Sequence, residues 1–185
     1  MDQPIFYIFL FIHLTSLILA FGSVMVIDTF GVLWLFKKVP LSLVTKVAET
    51  TQKLIWAGYT GMILSGSYLI FTKGYIDNLT KIKIFLVIMI GLNGIFLHTI
   101  KKSFEKLQNE NEITPILKFR MFVATSISQT GWWGAMLIGF VHRHIQHNIQ
   151  WPSNPWIYMF AIAGLFLILA SVGEITFKSK NKNYV

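Results

Sequence analysis

Apolar residues run almost without interruption through five stretches of the chain, roughly 4–36, 54–72, 82–100, 119–141 and 155–177, and polar, basic segments separate them. About 20 apolar residues in helical form cross a bilayer core, so each stretch has the length of a membrane span. The pattern predicts an all-α fold: a polytopic membrane bundle of five transmembrane helices in a single domain, 1–185. No internal repeat, low-complexity tract or linker interrupts it.

The first run, PIFYIFLFIHLTSLILAFGSVMVIDTFGVLWLF, contains no Lys or Arg but carries His13 and Asp28. A carboxylate at the centre of a membrane helix costs at least ~2.5 kcal/mol, so Asp28 calls for a partner; Lys53, His98, Asn93 and Gln129 are the candidates. Fifteen residues separate His13 from Asp28, about 60° around a helix, so both can face the interior. The segment Lys37 to Lys53 is polar enough for an interfacial helix that continues into the second span. That span, LIWAGYTGMILSGSYLIF, places Gly58, Gly61, Ser65 and Gly66 at spacings that let neighbouring helices approach closely. Gly74 with Asn78 marks a short turn.

The third span holds Asn93, Gly94 and His98, and a connector over 103–118 leads through Pro115 to the fourth. In the fourth, SISQTGWWGAMLIGF, the residues Ser126, Gln129 and Trp133 share a face, which is expected to look into the bundle. The Trp132–Trp133 pair is expected to divide between core and surface. The segment HRHIQHNIQWPSNP carries His142, His144 and His147. In the fifth span Glu174 stands one turn from Lys178, the spacing of a terminal ion pair.

Composition agrees with the pattern. Of 185 residues 54% are hydrophobic and only 13% charged, about half the charged fraction of a soluble domain. Mean hydropathy is +0.60. The absence of cysteine excludes disulfides, thiolate metal sites, thiol nucleophiles and covalent c-type haem attachment. No serine sits in a nucleophile elbow and no Gly-rich phosphate loop is present. The start, Met1-Asp2-Gln3, lacks a basic n-region, so the first run is expected to be a retained membrane helix.

A net charge of +8 would suit nucleic acid, but the basic residues cap apolar runs instead of forming a stripe, which excludes that partner. Twelve of them fall on one side of a five-span topology and four, Lys73, Lys81, Lys83 and Arg143, on the other. The positive-inside rule then puts the N-terminus outside and the C-terminus in the cytoplasm of a bacterial inner membrane.

Candidate chemistry follows from depth. His13 falls in the outer half of the first span, at the level of Lys81, Lys83, His142, Arg143 and His144; Asp28, Asn93, His98, Gln129 and Glu174 fall in the inner half. A neutral imidazole inside a helical bundle is the usual axial ligand of a b-type haem. His13 is the candidate ligand, with Lys83 and Arg143 for the propionates. His142 or His144 would supply a sixth ligand or a separate metal site, and Gly22 a small residue against the ring. Asp28 and His98 are candidates for passing protons. The plain structural alternative for His13 is a hydrogen bond to a neighbouring helix. Two other functions compete: a proton- or cation-conducting path along Asp28, Asn93, Gln129 and His98, and a non-catalytic partner subunit. Gly- and Trp-rich faces would also suit a homo-oligomer.

The order of features resembles a broad group of small bacterial membrane proteins that includes the integral-membrane protoporphyrinogen oxidases and the copper-resistance D family. The likeness lies in His13 followed by Phe21-Gly22, the GMILSG stretch, and Lys81-Ile-Lys83 leading through FLVIMI toward His98, and it covers residues 5–120. The first span's ending VLWLFKK, the Trp pair, the His-rich segment and the fifth span lie outside that pattern. The resemblance implies a b-type haem, His13 at the family's helix-one histidine and Lys83 at its helix-three lysine. It implies oxidoreductase or electron-transfer activity with a redox partner or quinone.

Overall fold

The computed structural model describes residues 3–105, 113–144 and 151–182, and the side chains of Gln3, Glu105, Arg143 and 178–182 are outside that description. Five helices follow one another: α1 (Gln3–Leu35), α2 (Leu41–Lys73), α3 (Asn78–Glu105), α4 (Pro115–His144) and α5 (Pro155–Lys182). Four of them, α1, α2, α3 and α5, are long and apolar enough to cross a membrane, which makes this a membrane protein. The polar run Thr125, Ser126, Ser128, Gln129 and Thr130 dilutes the hydropathy of α4, which is not among the four. The chain divides into two compact units, Met1–Ile76 and Asp77–Val185.

The first unit is a hairpin of two 33-residue helices, each about 50 Å long at 1.5 Å per residue. As expected, the polar segment before the second apolar run is helical and continuous with it. The hairpin turns through a Schellman motif. Lys37 takes a left-handed φ of 56°, its N–H bonds the Trp34 carbonyl at 2.8 Å, and the Lys38 N–H bonds the Leu33 carbonyl at 2.8 Å. Gly74, with φ of 74°, closes α2 by donating to the carbonyls of Ile70 and Phe71.

Small residues set how closely α1 and α2 approach. A Cβ on Gly58 would lie 2.6 Å from the Ser16 carbonyl oxygen and 2.8 Å from the Ala20 backbone nitrogen. A Cβ on Gly61 would lie 2.5 Å from Ser16 Oγ. Backbones this close leave Ala20, Val24, Met62 and Ser65 buried, while Phe11, Ile18 and Leu64 stay exposed on faces suited to lipid.

The second unit packs α3, α4 and α5. Ile82, Leu86 and Ala135 form a buried cluster flanked by Phe85, Met89, Ile138, Met159 and Ile162. Gly131 receives the Ile90 side chain and Gly134 that of Leu86. The helix starts are capped. Asp77 Oδ1 accepts the Thr80 N–H at 2.7 Å, and Asn154 Oδ1 accepts the Trp156 N–H at 3.1 Å. Pro115 and Pro155 occupy first positions, where a missing N–H costs nothing.

One expectation is corrected here. The inward face of α4 is Ala124, Ser128, Trp132 and Ala135, not Ser126, Gln129 and Trp133. Alanine and glycine on the first face admit α3, whereas Gln129 turns away and accepts the Trp133 indole N–H at 2.9 Å along its own helix. Trp132 is 1% exposed and Trp133 42%, so the pair divides as expected. Glu174 reaches across to Arg120 of α4, with Oε1 2.5 Å from Nε, because Gly173 beside it lets the Phe119 ring and the start of α4 come close. The side chain of its expected partner, Lys178, is outside the described residues.

Candidate functional site

The unit of α1 and α2 builds its polar centre around His13. The Nδ1 atom lies 3.1 Å from the Met62 carbonyl oxygen and 3.1 Å from Ser65 Oγ, one helix away. A carbonyl only accepts, so Nδ1 carries the proton, and in the neutral ring the lone pair belongs to Nε2. Ser65 is itself 1% exposed, and its hydroxyl donates to the Gly61 carbonyl at 2.6 Å. Gly66 gives the ring its seat: a Cβ there would come within 3.1 Å of His13 Cε1. One turn away, the Phe9 and Tyr68 rings stack with centroids 3.8 Å apart. His13 thus makes the hydrogen bond to a neighbouring helix that the plain structural alternative calls for, and one edge of its ring is fixed.

The remaining candidates in this unit stand apart from that centre. Gly22 is exposed, with nothing within 4 Å of a Cβ built on it, and nine residues place it half a turn around α1 from His13. Asp28 is half-buried on the His13 side of α1.

In the second unit a polar cluster forms where α3 begins and α4 ends. Asp77, its side chain 2% exposed, caps α3 and also holds His142, with Oδ2 3.3 Å from Nε2. Asn78 donates to the Pro152 carbonyl at 2.9 Å, and the Lys81 ammonium donates to Asn78 Oδ1 at 3.1 Å. The Lys83 ammonium lies over Gly139 of α4, 3.5 Å from where a Cβ would be. The structure thus brings Lys83 and His142 to the same end of α3 and α4. It does not bring His144 to them: that ring is exposed, stacks on Phe140 and bonds the Phe140 carbonyl at 3.1 Å. Among the described residues no three His, Asp or Glu side chains gather as a metal site would require. The Arg143 side chain and His147 lie outside the described residues.

Further along α3, Asn93 donates to the Ala124 carbonyl at 2.8 Å, and its Oδ1 is buried with no hydrogen-bond partner among the described residues. His98 is exposed, and Gln129 is held by Trp133.

Three participants escaped the sequence reading. Asp77 had a signal, since an Asp three residues before Thr80 at the head of an apolar run is a helix cap. The Met62 carbonyl and the acceptor role of Ser65 had none, because they depend on the register of α1 against α2. Comparison of the chain with protein-family models, curated proteins and solved structures gives no match to any of them.

Proposed function

We propose that this chain is a b-type haem protein of a bacterial cytoplasmic membrane, acting in electron transfer or as an oxidoreductase, with His13 Nε2 as the axial ligand. One observation carries the reading. The Nδ1–H of His13 is committed to the Met62 carbonyl and Ser65, so Nε2 is the nitrogen with the lone pair. Metal-ligating histidines characteristically donate their other ring N–H to a backbone carbonyl, which fixes the tautomer and raises the basicity of the ligating nitrogen. The donor chemistry of Nε2 therefore suits haem iron, and two aromatic rings, Phe9 and Tyr68, lie one turn along the two helices. When bound, haem supplies one-electron chemistry; the protein's part is to orient the imidazole and keep its Nδ1 proton in place. The resemblance to the protoporphyrinogen oxidase and copper-resistance D group supports the same choice of residue, and a quinone or redox protein is the partner it implies.

The test is the absorption spectrum of the purified protein, oxidised and then reduced with dithionite. A Soret band with a sharp reduced α-band is expected, and both should vanish in His13→Ala. A colourless wild-type protein, or a His13→Ala spectrum identical to wild type, ends the proposal.

The reading includes five spans, with α4 as the fourth and the N-terminus outside. The excess of Lys and Arg on one set of connecting segments supports this orientation. Because the chain has no cysteine, single substitutions test it directly. In intact cells Tyr75→Cys should react with an impermeant maleimide and Lys38→Cys should not.

A conducting path is the second reading, favoured by the buried Asn93 Oδ1, which has no partner among the described residues and is an acceptor that a water or hydrated cation would satisfy. It predicts vesicle proton or cation flux that Asn93→Leu abolishes.

A further inference from the structure

We infer that Ser65 is a positioning residue that shares with the Met62 carbonyl in holding the Nδ1 proton of His13, and so strengthens Nε2 as the ligand-facing nitrogen. The inference deepens the haem reading and rests on it for the identity of the ligand, but not for the tautomer.

The argument starts from where the protons are. The Ser65 hydroxyl has one proton and two nearby carbonyls, Gly61 at 2.6 Å and Met62 at 3.4 Å. Hydroxyl bonds cluster near 2.7–2.8 Å, so the proton goes to Gly61. The serine oxygen then meets His13 Nδ1, 3.1 Å away, as an acceptor. The second acceptor, the Met62 carbonyl, also receives the α2 ladder bond from the Gly66 N–H four residues on, so its bond to His13 is a shared one. Of the two, the serine oxygen is the one that a side-chain change can remove.

The direction matters for function. With Gly61 fixing the hydroxyl, Ser65 cannot turn round and donate to Nδ1 without breaking its short bond. Ser65 therefore adds a second acceptor to the Met62 carbonyl, and the two together hold the proton on Nδ1. Ser65 is 1% exposed, so this hydrogen bond is shielded from bulk solvent. A buried hydrogen bond to the ligand's far nitrogen adds electron density at the near one, and so favours the more oxidised state of a bound iron.

The experiment uses the full chain in lipid nanodiscs with 15N-labelled histidine, the His13 signals being assigned by their loss in His13→Gln. In the wild type, Nδ1 should show the protonated and Nε2 the unprotonated nitrogen shift. In Ser65→Ala, which removes only the hydroxyl and suits a helix, the Nδ1 proton should move upfield and the Nδ1 and Nε2 nitrogen shifts should change, while the ring stays protonated at Nδ1 through the Met62 carbonyl. In the haem-loaded protein, Ser65→Ala should raise the midpoint potential and lower the iron–histidine stretching frequency. Unchanged nitrogen shifts in Ser65→Ala, or a wild-type ring protonated at Nε2, overturn the inference. A colourless protein whose nitrogen shifts respond to Ser65→Ala removes the haem and leaves the positioning role standing.

Discussion

The two units solve the same problem, packing antiparallel helices, by different means. In α1–α2 the contact is backbone to backbone. Gly58 stands against the Ser16 carbonyl and the Ala20 amide, and this closeness lets the His13 ring touch the Met62 carbonyl. In α3–α4 the contact is side chain into notch: Ile90 into Gly131, Leu86 into Gly134. Lipid tails are as apolar as leucine, so neither interface is driven by hydrophobic burial between helices; close packing and interhelical hydrogen bonds do the work. The first interface spends its closeness on fixing a chemical group, and the second on filling volume.

The largest effect should therefore come from emptying volume in the second unit. Trp132→Ala should destabilise by about 3 kcal/mol, the low end for a buried aromatic, since lipid removes part of the transfer contribution. Its neighbour Trp133→Ala should cost well under half as much, because that ring is 42% exposed. Unfolding in mixed micelles, followed by far-UV circular dichroism, measures both. Equal losses would mean that the inward face of α4 is assigned wrongly.

Adding volume sharpens the contrast. At Gly58 a new Cβ meets backbone atoms at 2.6 and 2.8 Å, which cannot step aside. At Gly131 it meets Ile90 Cγ1 at 2.5 Å, a side-chain rather than a backbone atom, but on a buried β-branched residue with little rotamer freedom in a helix. Gly58→Ala should cost about 1–3 kcal/mol and disturb the His13 nitrogen signals, as overpacking does. Gly131→Ala should cost less than Gly58→Ala, since the displaced atoms belong to a side chain and alanine gains ~1 kcal/mol over glycine in a helix, and it should leave the His13 signals unchanged. The same unfolding measurement, paired with the histidine spectra, separates the two.

This contrast explains what was legible in the chain. The helices were, because length and hydropathy are properties of single segments: the run 4–36 became Gln3–Leu35 and the polar lead into the second span became its first turns. His13 stood out because an imidazole in an apolar run is conspicuous without any partner being known. Its partners were hidden, since no local pattern fixes which residue of α2 lies opposite residue 13. The face of α4 was misread for a related reason. Polar residues at helical spacing were assumed to turn inward, but Gln129 satisfies itself on Trp133 four residues along, and small residues took the interface instead.

A smaller effect is expected from the polar cluster at the head of α3. Asp77 caps the helix through the Thr80 N–H and holds His142 at the end of α4, so one carboxylate serves two helix termini. Asp77→Ala should cost about 1 kcal/mol for the cap alone. His142→Ala should cost less, because the cap survives it. A double-mutant cycle between the two should give a positive coupling; additive losses would mean that the contact carries no energy of its own.

The least costly change should be at the opposite end of the second unit, where Arg120 meets Glu174. The pair is partly open to solvent, with side-chain exposures of 41% and 29%. An ion pair in that setting is worth at most about 1 kcal/mol and is screened by salt. Arg120→Gln should therefore lower stability slightly at low ionic strength, and the difference from wild type should shrink when salt is raised. The packing of Phe119 against Phe177, with centroids 5.3 Å apart and the adjacent Gly173 making room, should hold α4 to α5 without the charges. A loss as large as that of Trp132→Ala, insensitive to salt, would show instead that this end of the unit is held by its charges, and the division between polar fixing in α1–α2 and volume filling in the second unit would no longer describe the molecule.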